Sequence, residues 1–230
     1  MVLVLMSSDY REPMRISKPR FVLLLPLLLT TSFLLVSCDM SEDVPLTIQP
    51  LAAGNTWTYV DSVFSGDAVS VSPLTISIPG RTTVANHRGE VYRWVVSADG
   101  QVRETNLIGR EEENLFHYAT IVQDDTLLAR KRWAAYPVRV GDTFQEPRYS
   151  YDAQTGTFTE TAVWTWTCIS TTAPFNAGNQ PLTAVVYRTN PNATTEHELI
   201  YAPGIGYVGW TTRVDGVVVF KERLTSYTLQ

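Results

Sequence analysis

From about residue 50 onward, apolar and polar side chains alternate with period two, and no segment of useful length carries the 3.6-residue period of an amphipathic helix. Trp57, Tyr59 and Val63 fall on one face of a predicted strand, and Tyr92, Trp94 and Val96 on one face of another. Within residues 161–169, Ala162, Trp164, Trp166 and Cys168 fall on one side and Val163, Thr165, Thr167 and Ile169 on the other. Leu182, Ala184 and Val186 continue the habit, as do Val218, Phe220 and Leu224. Side chains point to opposite faces at successive strand positions, so each segment reads as a half-buried strand.

Turn signals separate these segments at short spacing: Gly89-Glu90, Asp99-Gly100, Asp124-Asp125, Thr155-Gly156 and Asp215-Gly216. Asp-Gly supplies the positive φ that a two-residue hairpin needs. Residues 91–98 are therefore expected to pair with 101–108, and residues 207–214 with 217–229. The pattern predicts one all-β domain over residues 50–230, an antiparallel meander of about ten to twelve strands. Residues 172–180, with Pro174 and Gly178 and no apolar alternation, read as a loop. One internal echo stands out. Pro50-Leu51-Ala52-Ala53-Gly54-Asn55-Thr56-Trp57 recurs as Pro137-Val138-Arg139-Val140-Gly141-Asp142-Thr143-Phe144. In each, the glycine is expected to take a conformation closed to other residues, and the aromatic to open a strand into the core.

The first 49 residues follow a different rule. Arg15, Lys18 and Arg20 precede an almost wholly apolar run, residues 21–36, which is followed by the small Ser37. Charged, apolar, then small is the order of a secretory signal. The run is shorter than the ~20 residues that span a bilayer, and Pro26, Thr30, Thr31 and Ser32 interrupt it. Leu35-Val36-Ser37-Cys38 resembles the lipobox of bacterial lipoproteins, which implies cleavage before Cys38 and lipid on its thiol. Each buried methylene contributes roughly 0.8 kcal/mol, so two or more chains hold a soluble domain on a membrane. Residues 1–37 are thus expected to be the signal, with Met14 a candidate true start, and residues 38–49 a tether made acidic by Asp39, Glu42 and Asp43. The expected location is the bacterial cell envelope, facing the periplasm or the cell surface.

Composition supports a folded domain behind the tether: 44% of residues are hydrophobic, with six Trp and eleven Tyr. Of the 18 basic and 23 acidic residues in the chain, 14 and 21 lie from Cys38 onward. That acidic balance offers no basic stripe for nucleic acid. The two cysteines leave Cys168 without a disulfide partner if Cys38 is lipidated.

Pro50-Leu51-Ala52-Ala53-Gly54-Asn55-Thr56-Trp57-Thr58-Tyr59 resembles the opening of a family of small envelope lipoproteins, the DUF3108-like, TapB-type proteins. Tyr201-Ala202-Pro203-Gly204-Ile205-Gly206-Tyr207-Val208 resembles a signature near that family's end. The resemblance implies a curved antiparallel sheet or half-barrel akin to the lipoprotein-carrier fold; a β-sandwich is the alternative. It transfers no catalytic residue, because the shared positions are turns and core aromatics.

Candidate chemistry is sparse. His87, His117 and His197 are far apart and lack metal-ligand spacing, and Glu111-Glu112-Glu113 lacks a calcium-loop pattern. No metal or cofactor is expected. Cys168, alternating with Trp164 and Trp166, reads as a buried thiol. Trp57, Trp94, Trp164 and Trp166 are the candidate binding platform, for an apolar ligand or a glycan, whose faces stack on aromatic rings, or against an envelope protein. The expected function is a non-enzymatic binding or structural module of the cell envelope, lipid-anchored through Cys38. A hydrolase with residues converging from distant strands is the alternative.

Overall fold

A computed structural model describes residues 47–84, 87–122, 125–152, 154–155 and 157–230. The signal segment with Met14, the lipidation candidate Cys38, and most of the acidic tether lie outside the described residues. Among the described residues every regular element is a strand. The first seven are β1 (Thr56–Ser65), β2 (Ala68–Ser77), β3 (Arg81–Thr82), β4 (Val91–Ala98), β5 (Gln101–Glu111), β6 (Asn114–Val122) and β7 (Asp125–Ala134). The remaining six are β8 (Thr143–Asp152), β9 (Thr157–Ala177), β10 (Gln180–Thr189), β11 (Thr195–Ala202), β12 (Gly206–Val214) and β13 (Val217–Thr228).

Sequential antiparallel pairing gives one 13-stranded sheet in the order β7-β6-β5-β4-β2-β1-β13-β12-β11-β10-β9-β8, with the two-residue β3 attached to β4. The meander therefore runs outward from β1 to β7 and returns from β8 to β13. Its ends are joined by the β1–β13 ladder, in which Trp57 faces Tyr227, Asp61 faces Glu222 and Val63 faces Phe220. The two outer strands, β7 and β8, meet through side chains, Lys131 to Glu146 at 3.2 Å. The sheet is thus curled into a nearly closed barrel, and the sandwich alternative does not form.

The two Asp-Gly hairpins form where the pattern places them. Asp99 and Gly100 have φ of 53° and 74°, and Asp215 and Gly216 of 51° and 79°, the doubly positive turn that matches strand twist. The expected loop over residues 172–180 is corrected: β9 continues to Ala177, and only Gly178-Asn179 separates it from β10. Its inward positions are the half-buried Ala173 and Phe175 and the buried Ala177, too small and mixed to show as apolar alternation. Pro174 is tolerated because β8 pairs only with residues 157–167 of β9, leaving that edge free of ladder bonds. The overhanging hairpin packs outside the barrel, with Arg223 5.3 Å over the Phe175 ring and the Tyr227 hydroxyl donating to Gln180 Oε1 at 3.0 Å.

The echoed segments are the same device used twice. Gly54 and Gly141 have φ of 92° and 95°. Gly54 N donates to Ile78 O at 2.8 Å, Asn55 N to Ala52 O at 3.2 Å, and Asn55 O accepts from Ile78 N at 2.9 Å. Gly141 N likewise donates to Cys168 O at 2.8 Å, Asp142 N to Arg139 O at 3.0 Å, and Asp142 O accepts from Cys168 N at 2.8 Å. Each device launches the first strand of one half of the barrel and buries the aromatic that follows, Trp57 or Phe144.

A wall of this many strands encloses more space than short aliphatic side chains fill, since about eight strands already leave an interior just wide enough for packing. Rings fill it. Trp57, Tyr59, Trp166 and Tyr187 are fully buried, with Ile78, Ile108, Leu115 and Leu224 among them. Residues 47–51 close the end at which β1 starts: Ile48 is buried, and Gln49 Oε1 accepts from Tyr207 N at 2.7 Å. Outward positions include Arg93 between Tyr92 and Trp94, Gln145 between Phe144 and Glu146, and Arg223 between Glu222 and Leu224, beside a second apolar cluster of Val91, Leu107, Phe116, Tyr118 and Ala119.

Candidate functional site

Above the ring-packed floor the interior is not filled. A cavity of about 230 Å³ lies between the two halves of the barrel. Alternation places its wall: Leu74, Ile76, Trp94 and Val96 project from β2 and β4, and Leu199, Tyr201, Tyr207 and Trp210 from β11 and β12. Trp133 completes the aromatic lining from β7, 6.3 Å edge-to-face from Trp94, which in turn lies 5.3 Å from Trp57. On the opposite wall Trp210 meets Trp166 edge-to-face at 5.5 Å, and Tyr201 meets Tyr207 at 5.7 Å. The half-buried Leu74 and Val96 and the exposed Glu104 lie toward the hairpin ends, away from the end that residues 47–51 close.

Polar side chains also reach this space: Glu104, Asn106, Glu146 and Glu222. Glu146 is buried but fully engaged. Lys131 Nζ lies 3.2 Å and Arg148 Nη1 2.9 Å from its Oε1, while the Trp166 indole N–H donates to its Oε2 at 2.8 Å. Burial holds the Lys131 ammonium below its ordinary range, opposed by the attraction of Glu146. Glu222 has a different environment. It is 9% exposed, and its hydrogen-bond partners are the Tyr207 hydroxyl and another acid, its cross-strand neighbour Asp61. Burial, with the nearby Asp61 charge, pushes the Glu222 carboxyl up to about 8. Burial also raises Asp61, whose Oδ1 is enclosed without a hydrogen-bond partner. The pair holds a proton that either acid alone in water would release.

The three histidines do not converge. His117 is fully buried, stacked on Trp133 at 5.0 Å, within 2.8 Å of Thr120 Oγ1 and 3.2 Å of Ala129 O; burial pushes it down to about 3, so it is neutral. His197 stacks on Trp164 at 4.7 Å and lies 5.2 Å from Trp210, with Nδ1 3.0 Å from Thr212 Oγ1. His87 lies 4.2 Å from the Tyr118 ring, in a separate cluster with Phe116 on the outer face of β4–β6. Glu111 is taken by Arg130, whose Nε donates at 2.8 Å, and by the Tyr118 hydroxyl at 2.9 Å. Among the described residues no group of three His, Cys, Asp or Glu is arranged to hold a metal ion. Cys168 is buried, with its thiol pushed up by burial.

Of the four tryptophans predicted as a platform, Trp94 lines the cavity. Trp57 and Trp166 are fully buried beneath it, and Trp164 is half-buried under the Arg148 guanidinium, 4.2 Å over its ring. Trp133, Glu146 and Glu222 were not singled out by the sequence. A signal for the last two was present: Glu222 interrupts the inward series Phe220–Leu224, as Asp61 interrupts Tyr59–Val63 and Glu146 follows Phe144.

No protein-family model and no curated protein matches the chain, so the resemblance to the DUF3108-like, TapB-type family is not confirmed. Two solved structures are similar. One is a Parabacteroides distasonis protein inferred to be a lipoprotein: 10% identity, TM-score 0.51, covering 80% of this chain and 99% of that one. The other is a Bacteroides fragilis protein inferred to be exported, with a YmcC-like fold: 11% identity, TM-score 0.47, covering 79% and 98%. The likeness to the Parabacteroides distasonis chain shows a shared fold.

Proposed function

We propose that this chain is a membrane-anchored lipoprotein of the bacterial cell envelope, held by lipid on Cys38, whose barrel is a non-enzymatic receptacle for a small ligand. The cavity carries the binding half of the proposal. Its walls combine aromatic rings with Glu222, a buried carboxyl that has no basic partner among the described residues and whose burial packing alone does not reward. The lipobox-like Leu35-Val36-Ser37-Cys38 supports the anchor, and so does the fold shared with a protein inferred to be a lipoprotein.

Size narrows the ligand. Drug-sized molecules occupy pockets of about 300 Å³ and more, and this cavity is smaller. A molecule with a few carbon atoms fits inside it.

Two measurements test the two halves. Cys38→Ser is expected to move the protein from the membrane fraction to the soluble one; retention on membranes removes the anchor. Titration with 1-pentanol is expected to change tryptophan fluorescence saturably, and Val96→Trp, which fills the cavity, to abolish that change. A wild-type titration without saturation removes the receptacle.

A further inference from the structure

We infer that the occupant of the cavity is a small organic ammonium ion, its charge seated at Glu222 and its carbon portion among the rings of Trp94, Trp133 and Trp210. This rests on the barrel being a receptacle and adds the chemistry of what it receives.

Three observations converge. First, every charged side chain lining the cavity is a carboxylate: Glu104, Glu146 and Glu222. An anion entering would meet carboxylates alone, whereas a cation would meet a carboxyl able to pair with it. Second, the two buried carboxylates differ in what they lack. Glu146 is neutralised from behind the wall by Lys131 and Arg148, whereas among the described residues no Lys or Arg lies within ion-pair distance of Glu222. The titratable groups around Glu222 are Asp61 and Tyr59 from β1 and Tyr207 from β12, with Tyr201 of β11 packed against Tyr207. None of them can supply a positive charge, and Asp61 Oδ1 stands beside them as a buried acceptor without a donor. Third, the rest of the wall is aromatic, and the negative face of an indole or phenol ring attracts a cation within about 6 Å, most strongly where water is excluded.

In the empty protein the Asp61–Glu222 pair compensates itself by holding a proton. A bound ammonium supplies that positive charge instead, so the pair gives its proton to solvent as the ligand enters. Binding of the cation and release of a proton are then one event.

Calorimetric titration of the full chain carrying Cys38→Ser, with n-pentylammonium and with 1-pentanol of the same length, tests this. At pH 7 the ammonium is expected to bind at least tenfold tighter than the alcohol, with heats that depend on the ionisation enthalpy of the buffer because a proton is released. Glu222→Gln is expected to lose both the tenfold preference and the buffer dependence. Its unchanged binding of 1-pentanol shows that the barrel is intact. If wild type binds the alcohol as tightly as the ammonium, the receptacle stands and the ammonium does not. If Glu222→Gln keeps the preference, the seat is not Glu222. If neither probe saturates, the receptacle itself falls.

Discussion

Glu222 and Glu146 reach the same cavity from the two places where the halves of the barrel meet, and they are held in opposite ways. At the first joint β1 and β13 share a backbone ladder, and the side chains facing each other across it at Asp61 and Glu222 are both acids. At the second, β7 and β8 meet without pairing in the sheet order, and Glu146 is matched by Lys131, Arg148 and the Trp166 N–H. Like charges directly opposite on a sheet are unfavourable, and burial makes them more so. The ladder bears that cost because its hydrogen bonds do not depend on those side chains. The seam has no such reserve, so its side chains must satisfy one another. Electrostatic frustration stands at the joint that tolerates it.

The largest expected effect comes from breaking the seam. Glu146→Leu removes the counter-charge of Lys131, whose side chain is 13% exposed, and the acceptor of the Trp166 indole. Loss of one member of a buried pair costs about 3–5 kcal/mol. Urea unfolding is expected to show a loss in that range. A loss near zero would mean that packing alone closes the seam.

The next effect has the opposite sign and depends on pH. A carboxyl raised from 4.5 to about 8 binds its proton more tightly in the folded state. Its contribution to stability is therefore complete below pH 4.5 and is lost as pH rises through 8. The stability of wild type relative to Glu222→Gln, which cannot ionise, is expected to fall steadily across that window, while His117, kept neutral by burial, adds to both proteins a contribution that rises with pH up to about 6.5. Above pH 8 the variant is expected to be the more stable, by on the order of 3 kcal/mol. Asp61→Asn sharpens the comparison: with the neighbouring charge gone, Glu222 ionises more easily and the wild-type slope shifts to lower pH. Parallel slopes for wild type and Glu222→Gln in urea titrations from pH 5 to 9 would place the proton elsewhere.

Much of this architecture is written in the alternation. Trp57 and Tyr59, Tyr92 and Trp94, and Trp166 and Cys168 all occupy the inward face assigned to them, because a half-buried strand leaves no other arrangement of its apolar side chains. Asp99-Gly100 and Asp215-Gly216 were legible for the same local reason. The residues over 172–180 were not, since Pro174 and Gly178 read locally as breaks and only Ala173, Phe175 and Ala177 carry the inward face. The site was harder still. Trp57, Trp94 and Trp166 look alike in sequence, and only curling the sheet decides that Trp94 borders empty space while the other two lie under it. Asp61 and Glu222 are far apart in the chain, and their pairing follows from the β1–β13 register, which period-two alternation does not set.

The smallest effect compares the two joints through the echoed turns that lead to them. Gly54 and Gly141 have φ of 92° and 95°, so alanine at either position pays the left-handed penalty of about 1–2 kcal/mol. Added bulk differs between them: a Cβ at Gly54 meets Gln230 Cγ at 2.9 Å, a side chain that can shift, and one at Gly141 meets nothing within 4 Å. The difference lies in what each turn supports. Gly54 leads into β1, which is held on one side by β2 and on the other by β13, whereas Gly141 leads into β8, which pairs with β9 alone. Strain at Gly54 is therefore expected to leave exchange of the β1 amides slow, while equal strain at Gly141 speeds exchange across β8 and at Cys168, whose N–H is bonded to Asp142 O. Two variants with matched losses in unfolding free energy and unmatched hydrogen exchange would establish that the seam opens first. Equal acceleration in β1 and β8 would mean that the barrel opens as one unit, and that the missing ladder between β7 and β8 does not weaken it.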